Sequence, residues 1–249
     1  MKKRWIAIGD SFTYLNDHLD ETGGRVTKGY LDRVMEQVPD LDLINIGING
    51  STTMSWLAVN IPKGDLYTIM LGTNDWRQLV PIGQTEDMEQ AVPGTILGNL
   101  GVFLKRIYKQ NPGARVIICT PVERGDFVYI NDANNNAHNS SLPEENGVYL
   151  KEIASAIRGA CDTLGLECVD LHEESGFSVE NVVRFKHVKT PEGYKDLPWP
   201  AYADYPFDPA DEYPYPKEAC GLTYDGLHPS DEGNQVIADL LAARIQIIL

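Results

Sequence analysis

Short apolar segments alternate along this chain with longer, helix-length segments. That alternation is typical of a parallel β-sheet whose two faces are covered by helices. The predicted strands are rich in Ile and Val, as strands buried on both faces are, and they span residues 4–9, 42–46, 65–71, 114–120 and 167–170. Apolar residues three and four positions apart predict helices over residues 29–38, 93–110, 144–164 and 231–248. The sequence therefore predicts an α/β fold.

Two stretches interrupt this alternation. Residues 124–143 contain five asparagines and are too polar for a core, which predicts an excursion on the surface. Residues 175–223 are far longer than an ordinary connection, and seven prolines and seven aromatic residues are interleaved over their middle part, 191–216. Proline restricts the unfolded chain and aromatic rings offer surface to bury, so this stretch is not a flexible linker. We expect one domain, residues 1–249, with an insertion at about 175–223.

The composition argues against several classes of protein. The 249 residues include 36 acidic and 21 basic side chains, a net charge of −15, and the only basic cluster is Lys2-Lys3-Arg4. A nucleic-acid partner is not expected, because it requires a clustered cationic face. No apolar run approaches the ~20 residues that span a bilayer, and the apolar stretch 5–8 is too short for a signal peptide. We therefore expect no membrane association, a cytoplasmic location and reduced cysteines.

Residues able to do chemistry follow the predicted strands, at the edge of the sheet where α/β folds bind ligands. Ser11, in Gly9-Asp10-Ser11-Phe12, follows the first strand and can present its hydroxyl to a cleft, although serines there more often cap a helix. The loop after the second strand contains Gly47 and Gly50, whose backbone can turn tightly and point N–H groups at an anion. An ordinary capped helix start explains that loop equally well.

Two further loops carry polar side chains. Asn74, in Gly72-Thr73-Asn74-Asp75, follows the third strand, and its amide can donate hydrogen bonds to an oxyanion; an asparagine-stabilised turn is the structural alternative. Near the C-terminus, Asp225 precedes His228 by three residues, and Pro229 prevents the last helix from extending back over the histidine. A carboxylate at that spacing can orient the imidazole and stabilise its charged form.

Together these loops supply a nucleophile, oxyanion donors, a base and an orienting acid, the parts of a serine hydrolase. Their order and approximate spacing resemble those of the SGNH hydrolases, also called GDSL-type esterases and lipases, over residues 5–234. The resemblance implies a three-layer α/β/α sandwich like flavodoxin, with five parallel strands in the order 2-1-3-4-5. Phe12 stands where the family usually has leucine, and the insertion at about 175–223 is not part of the minimal fold.

The same resemblance implies a role for each site residue. Ser11 is the nucleophile, His228 the base, and Asp225 the acid that holds the imidazole. The oxyanion hole consists of the backbone N–H groups of Ser11 and Gly50 and the side-chain amide of Asn74. No cofactor and no metal are implied. We expect hydrolysis of a small-molecule, short-chain ester through a covalent acyl-enzyme, with an O-acetyl carbohydrate as a plausible substrate because aromatic faces stack on sugar rings.

Other functions for the same residues stay open. An acyltransferase would form the same acyl-enzyme and pass the group to an alcohol, since water exclusion and pocket shape choose the acceptor. A non-catalytic carbohydrate-binding relative would keep the fold, yet this chain retains a candidate nucleophile and base. A metal-dependent phosphodiesterase is not expected, because this sequence has no cluster of His and Asp residues at the spacing that metal ligands need. The aromatic residues of the insertion form either a wall over the site or a core of their own, and the sequence predicts no oligomeric state.

Overall fold

A computed structural model of the protein describes residues 2–249 and has at its centre a sheet of five parallel strands. Each strand matches a predicted one to within a single residue at either end. The strands are β1 (Lys3–Gly9), β2 (Leu41–Asn45), β3 (Leu66–Met70), β4 (Arg115–Cys119) and β5 (Glu167–Val169). They are arranged in the order β2-β1-β3-β4-β5, and all neighbours are parallel. The predicted fold class and strand order are confirmed.

Helices connect the strands and cover the sheet. Over residues 2–249 the α-helices are α1 (Ser11–Tyr14), α2 (Tyr30–Gln37), α3 (Thr73–Arg77), α4 (Thr85–Gln90), α5 (Ile96–Gln110), α6 (Leu150–Leu164), α7 (Leu171–Glu174) and α8 (Asp231–Ile248). Short 3₁₀ turns lie at Leu19–Thr22, Ser55–Ala58, Ala201–Asp204 and Lys217–Ala219. The helices predicted from sequence correspond to α2, α5, α6 and α8.

Helix α6 begins six residues later than predicted. Gly147 has a φ of 78° and donates its N–H to Glu144 O, which closes a turn where the helix was expected. The side chain of Glu152 then accepts a hydrogen bond from the backbone N–H of Tyr149, so it caps the true start of the helix. The apolar periodicity was sufficient to predict the helix, but the turn and the cap decide where it begins.

Successive residues of a strand point to opposite faces of the sheet, and both faces are buried. On one face Trp5 and Ala7 of β1 pack with α2 and α8, and on the other Ile6 and Ile8 pack with α5 and α6. Each fully buried aliphatic side chain contributes roughly 1.5–3 kcal/mol of transfer free energy. The result is the expected three-layer arrangement, in which β1 lies between β2 and β3 and its carboxyl end opens toward the site.

The two interruptions each form a β-hairpin that the sequence analysis did not predict. The first hairpin joins Phe127–Tyr129 to Asp132–Ala137, and the second joins Lys186–Thr190 to Gly193–Leu197; both are antiparallel. Asparagine-rich strands have no strong β pattern, which explains the first omission. The second hairpin had a usable signal, because Pro191-Glu192-Gly193 is a turn sequence and Gly193 adopts a φ of 112°.

The aromatic residues of the insertion form a separate buried cluster. Tyr202 and Tyr215 pack there against Val183 and Val188, together with Val128 of the first hairpin. Of the two alternatives for these aromatic residues, the structure supports a core of their own. In the described part of the chain, no helix combines the length and the apolarity needed to cross a bilayer, and the four cysteines are free thiols.

Candidate active site

Ser11, His228 and Asp225 meet at the carboxyl edge of the sheet, although Ser11 and His228 are 217 positions apart in sequence. Ser11 Oγ lies 2.9 Å from His228 Nε2, and His228 Nδ1 lies 2.7 Å from Asp225 Oδ2. Only 4% of Ser11, 5% of His228 and none of Asp225 is exposed. These distances connect a hydroxyl, an imidazole and a carboxylate in one hydrogen-bonded chain suited to proton transfer.

The loop that carries His228 is held by its own aspartate. Asp225 Oδ1 accepts hydrogen bonds from the backbone N–H groups of Leu227 (3.0 Å) and His228 (2.8 Å), which leaves Oδ2 for the imidazole. Gly226 has a φ of 87°, and a Cβ atom at this position would lie 1.9 Å from the carbonyl oxygen of Asp126. Only glycine fits at position 226, so the conformation of the loop requires a glycine directly after Asp225.

Ser11 is placed by the start of a short helix. The carboxylate of Asp10 accepts a hydrogen bond from the backbone N–H of Phe12 and so caps α1, which begins at Ser11 immediately after β1. Asp10 is buried, and this burial raises its pKa to about 7, although the Phe12 hydrogen bond and the nearby His228 act in the opposite direction. The serine is therefore held on a short, buried and capped turn.

Gly50 and Asn74 reach the same edge from neighbouring loops. Gly50 lies in the loop that follows β2 and has a φ of 68°, a conformation that favours glycine and lets the chain turn there. The amide of Asn74 donates to Ser51 O at 3.1 Å and approaches Asp10 Oδ2 at 3.4 Å. Within residues 2–249, the backbone N–H groups of Ser11 and Gly50 meet no protein acceptor, so both are available to a ligand oxygen.

Asp75 connects the loop after β3 to the loop after β2 by hydrogen bonds, a role that the sequence analysis did not predict. Its carboxylate accepts hydrogen bonds from the backbone N–H of Thr53 at 3.0 and 3.1 Å and from its hydroxyl at 2.5 Å. Asp75 is fully buried, and burial raises its pKa to about 6 despite these hydrogen bonds. The only indication of this role in the sequence was the position of Asp75, directly after the oxyanion candidate Asn74.

Three aromatic rings surround the imidazole of His228. Phe127 meets it edge-on with ring centres 5.4 Å apart, Tyr224 stacks at 5.8 Å, and Phe12 lies tilted at 6.0 Å. These rings restrict the orientation of the imidazole and exclude water from all but its hydrogen-bonding edge. Phe12, the departure from the family's usual leucine, is thus part of this aromatic wall.

A solvent-open cleft of about 270 Å³ runs over Ser11 and His228. Gly50 and Asn74 line it beside Ser11, so the cleft brings together all the predicted oxyanion donors. The opposite wall belongs to the first hairpin, through Phe127, Tyr129, Asn135 and Ala137. Among the described residues, none from the insertion lines the cleft. The aromatic side of the cleft, one of the two alternatives for the insertion, is therefore supplied by residues 124–143, whose sequence predicted only a surface excursion.

Comparison with known proteins agrees with this fold and with the hydrolase class. The sequence matches the family described as GDSL-like lipase/acylhydrolase over residues 7–236. The crystal structure of a possible lipase from Chitinophaga pinensis DSM 2588 is 43% identical, with 99% of each chain covered and a TM-score of 0.95. The chain therefore belongs to the GDSL-like lipase/acylhydrolase family, and the hydrolase class predicted from its motifs is confirmed.

More distant structures share the fold alone. A protein from Lactobacillus plantarum is 20% identical, with 100% of this chain and 98% of that chain covered and a TM-score of 0.63. A mutant of an acetyl-xylooligosaccharide esterase from Geobacillus stearmophilus is 17% identical, with coverages of 98% and 94% and a TM-score of 0.52. Among curated proteins, none matches the sequence.

Proposed function

We propose that this protein is a serine esterase that hydrolyses short-chain esters through a covalent acyl-enzyme, with residues 1–249 acting as one hydrolase domain. Ser11 is the nucleophile, His228 the general base and Asp225 the acid that orients it. The observation that carries the proposal is the continuous chain of hydrogen bonds from Ser11 Oγ through the imidazole to Asp225, with lengths of 2.9 and 2.7 Å.

The reaction proceeds in two halves. Ser11 Oγ attacks the ester carbonyl carbon while His228 Nε2 takes the hydroxyl proton, and Asp225 stabilises the imidazolium that forms. The carbonyl oxygen becomes an oxyanion that accepts hydrogen bonds from the N–H groups of Ser11 and Gly50 and from Asn74. His228 then protonates the departing alcohol as the C–O bond breaks. In the second half, a water molecule gives a proton to His228 and attacks the acyl carbon. The bond between the acyl carbon and Ser11 Oγ then breaks as His228 passes the proton to Oγ, which releases the acid and restores the Ser11 hydroxyl.

The cleft favours a small acyl group on a hydroxylated carrier. Amide side chains of Asn49, Gln78 and Asn135 line it, and Tyr129 adds an aromatic face with a polar tip, which together suit a sugar. An O-acetyl carbohydrate therefore remains our preferred substrate. The acetyl-xylooligosaccharide esterase from Geobacillus stearmophilus shares the fold of this protein, and its substrate class is compatible with this choice.

Acyl transfer is the second candidate function, because it uses the same acyl-enzyme. The openness of the cleft favours water as the acceptor, since transferases protect the intermediate from solvent. Product analysis of acetyl ester cleavage with an added sugar separates the two. Free acetate as the sole product supports hydrolysis, whereas an acetylated sugar that increases with acceptor concentration supports transfer.

Labelling with a serine-directed fluorophosphonate tests the proposal. We expect one adduct that peptide mapping places on Ser11, together with loss of p-nitrophenyl acetate hydrolysis. The Ser11→Ala variant should take up no label and keep its circular dichroism spectrum. Full hydrolysis by Ser11→Ala, or an adduct on another serine with Ser11 unmodified, would contradict the proposal.

A further inference from the structure

The cleft contains a buried cation that the proposed reaction does not use. Arg124 is only 2% exposed, yet it lines the same cleft as Ser11 and Asn74. Its guanidinium lies over the rings of Trp76 and Phe127, 5.3 and 5.7 Å from their centres. Cation–π contacts of this kind restrict the position of the guanidinium and use none of its N–H groups as hydrogen-bond donors.

Arg124 has few polar partners for a buried charge. Within residues 2–249, its side chain makes one long hydrogen bond, from Nη2 to His138 O at 3.5 Å, and its buried Nε meets no acceptor. No carboxylate of the described residues lies within ion-pair distance of it. Burial lowers the pKa of Arg124 to about 10, and Asp225 counteracts the decrease, so the group stays charged at neutral pH. A buried and unpaired charge is costly, and an anionic ligand would offset that cost.

The charge of the cleft differs from that of the whole molecule. The chain has a net charge of −15, but the residues that line the cleft include two arginines, Arg77 and Arg124, and none of them is acidic. Arg77 is half-exposed and already paired with Glu144 at 3.3 Å. Arg124 is therefore the cleft cation that has no carboxylate within ion-pair distance, while Asp225, Glu144 and Asp126 act on its charge from farther away. A buried guanidinium of this kind attracts an anion more strongly than an exposed one does.

We propose that Arg124 is a specificity residue that binds a negatively charged group, a carboxylate or a phosphate, carried by the ester substrate. The inference rests on the proposed esterase function and narrows its substrate class to esters that bear an anion close to the scissile bond. Arginine suits this role because its planar fork of donors matches the oxygens of both groups. The anion belongs either to the acyl part or to the alcohol part of the ester.

Matched pairs of esters test the inference. Mono-p-nitrophenyl succinate against p-nitrophenyl acetate places the charge on the acyl side, and 4-acetoxybenzoate against its methyl ester places it on the alcohol side. For each pair, the ratio of kcat/KM for the anionic over the neutral ester is measured in the wild type, in Arg124→Gln and in the control Arg77→Gln. We expect Arg124→Gln to lower the ratio in one pair by about 10–100-fold, the effect of a lost charge-assisted contact. Arg77→Gln should change it less than about threefold.

Ratios of kcat/KM that stay constant in both pairs would overturn the inference. If both activities are also unchanged, Arg124 has no role in binding the ester. If both activities fall equally, Arg124 acts on the triad through Asp225 instead. If Arg124→Gln does not fold, the wild type supplies the test: succinate should inhibit p-nitrophenyl acetate hydrolysis at least tenfold more strongly than neutral succinamide, and 0.5 M salt should reduce that difference. Equal inhibition by the two compounds overturns the inference.

The failure of this inference is distinguishable from the failure of the proposed function. A wild type that hydrolyses none of these esters and takes up no fluorophosphonate contradicts the esterase function, and the inference fails with it. A wild type that labels on Ser11 and cleaves the neutral esters, but has no preference for the anionic ones, contradicts only the role of Arg124.

Discussion

The molecule contains two histidine–aspartate pairs of nearly the same length in different regions. At the sheet edge, His228 Nδ1 lies 2.7 Å from Asp225; in the second hairpin, His187 Nδ1 lies 2.6 Å from Asp196. The first pair is buried, whereas 28% and 55% of the second pair's side chains are exposed. The hydrogen-bond distance alone therefore does not distinguish a candidate catalytic pair from a surface contact.

The other ring nitrogen separates the two pairs. His228 Nε2 meets the hydroxyl of Ser11, whereas His187 Nε2 faces Glu212 at 3.5 Å and its ring stacks on Tyr194. An imidazole between two carboxylates in solvent has no group to activate, and exposed ion pairs contribute little. Burial and a hydroxyl partner therefore distinguish the candidate catalytic pair from the surface contact.

Polar groups are buried both at the sheet edge and in the insertion, but those in the insertion lie away from the cleft. In the insertion, Lys186 is buried, donates to Asp126 at 2.8 Å and lies over the rings of Tyr202 and Tyr215 at 4.9 and 5.9 Å. This pair links the insertion to the first hairpin and faces no cleft over Ser11. We therefore expect substitutions at the sheet edge to reduce activity and substitutions in the insertion to reduce stability.

Asp225→Asn should have the largest effect. An asparagine keeps the backbone hydrogen bonds of the loop but no longer stabilises the imidazolium or selects its tautomer, so kcat should fall by about 10⁴. Asp196→Asn, the equivalent change in the exposed pair, should alter kcat less than about twofold. Initial rates with p-nitrophenyl acetate check both variants. A similar loss in the two variants would remove the distinction between the pairs.

Asn74→Ala should follow, with a decrease in kcat of about 10²–10³ because one oxyanion donor is lost. Asn134 provides the control, because it lies in the first hairpin and does not line the cleft. Asn134→Ala should retain activity to within about twofold. Steady-state kinetics measure both variants, and a normal kcat for Asn74→Ala would exclude its amide from the oxyanion hole.

Lys186→Met should lower the free energy of unfolding by about 2–3 kcal/mol. Breaking a fully buried ion pair costs about 3–5 kcal/mol, and the cost is smaller here because 26% of the Asp126 side chain is exposed. Urea denaturation measures the change, and the folded variant should keep kcat within about threefold. Lys189→Met, which removes the ion pair of an exposed lysine with Asp211, should cost less than about 1 kcal/mol because most of the Lys189 side chain is in solvent. Equal losses in the two variants would contradict the structural role of Lys186.

Asp10→Asn should change how stability depends on pH, the smallest of these effects. The folded pKa of Asp10 is about 7, above its usual value of 3.8, because burial disfavours the charge. The resulting stabilisation is complete below pH 3.8 and is lost as the pH rises through 7. Between pH 5 and 7 the wild type should lose about 2 kcal/mol from this group, and Asp10→Asn should lose correspondingly less. Urea denaturation at several pH values checks this, with the exposed Asp40→Asn as a control that keeps the wild-type slope.

The sequence was most informative where one local pattern had one structural meaning. Strand β1 was predictable because a strand buried on both faces must be continuously apolar, as residues 5–8 are. Ser11 and Asn74 were predicted to meet because the carboxyl ends of neighbouring parallel strands share one edge of the sheet. The start of α6 was less predictable, since the turn at Gly147 competes with a helical pattern that continues through it.

The sequence was least informative where a residue's role depends on distant partners. Arg124 lies in a polar, asparagine-rich stretch that predicts exposure, yet Trp76 and Phe127 bury it. The aromatic residues of the insertion were candidates for a cleft wall, but they pack among themselves. Neither outcome follows from a local window, because both depend on which surface each hairpin covers.

From the sequence alone came the α/β class, which follows from periodic burial, and the strand-end loops that share one edge of the sheet, which follow from the geometry of all parallel sheets. The order of the strands and the role of each site residue came from the resemblance to the SGNH hydrolases. Tertiary structure decided which hairpin borders the cleft, which histidine–aspartate pair is sealed from water and which cation is left without a carboxylate. Those features arise from contacts between segments up to hundreds of residues apart, and the free energy of a buried charge depends on all the groups around it rather than on its neighbours in the chain.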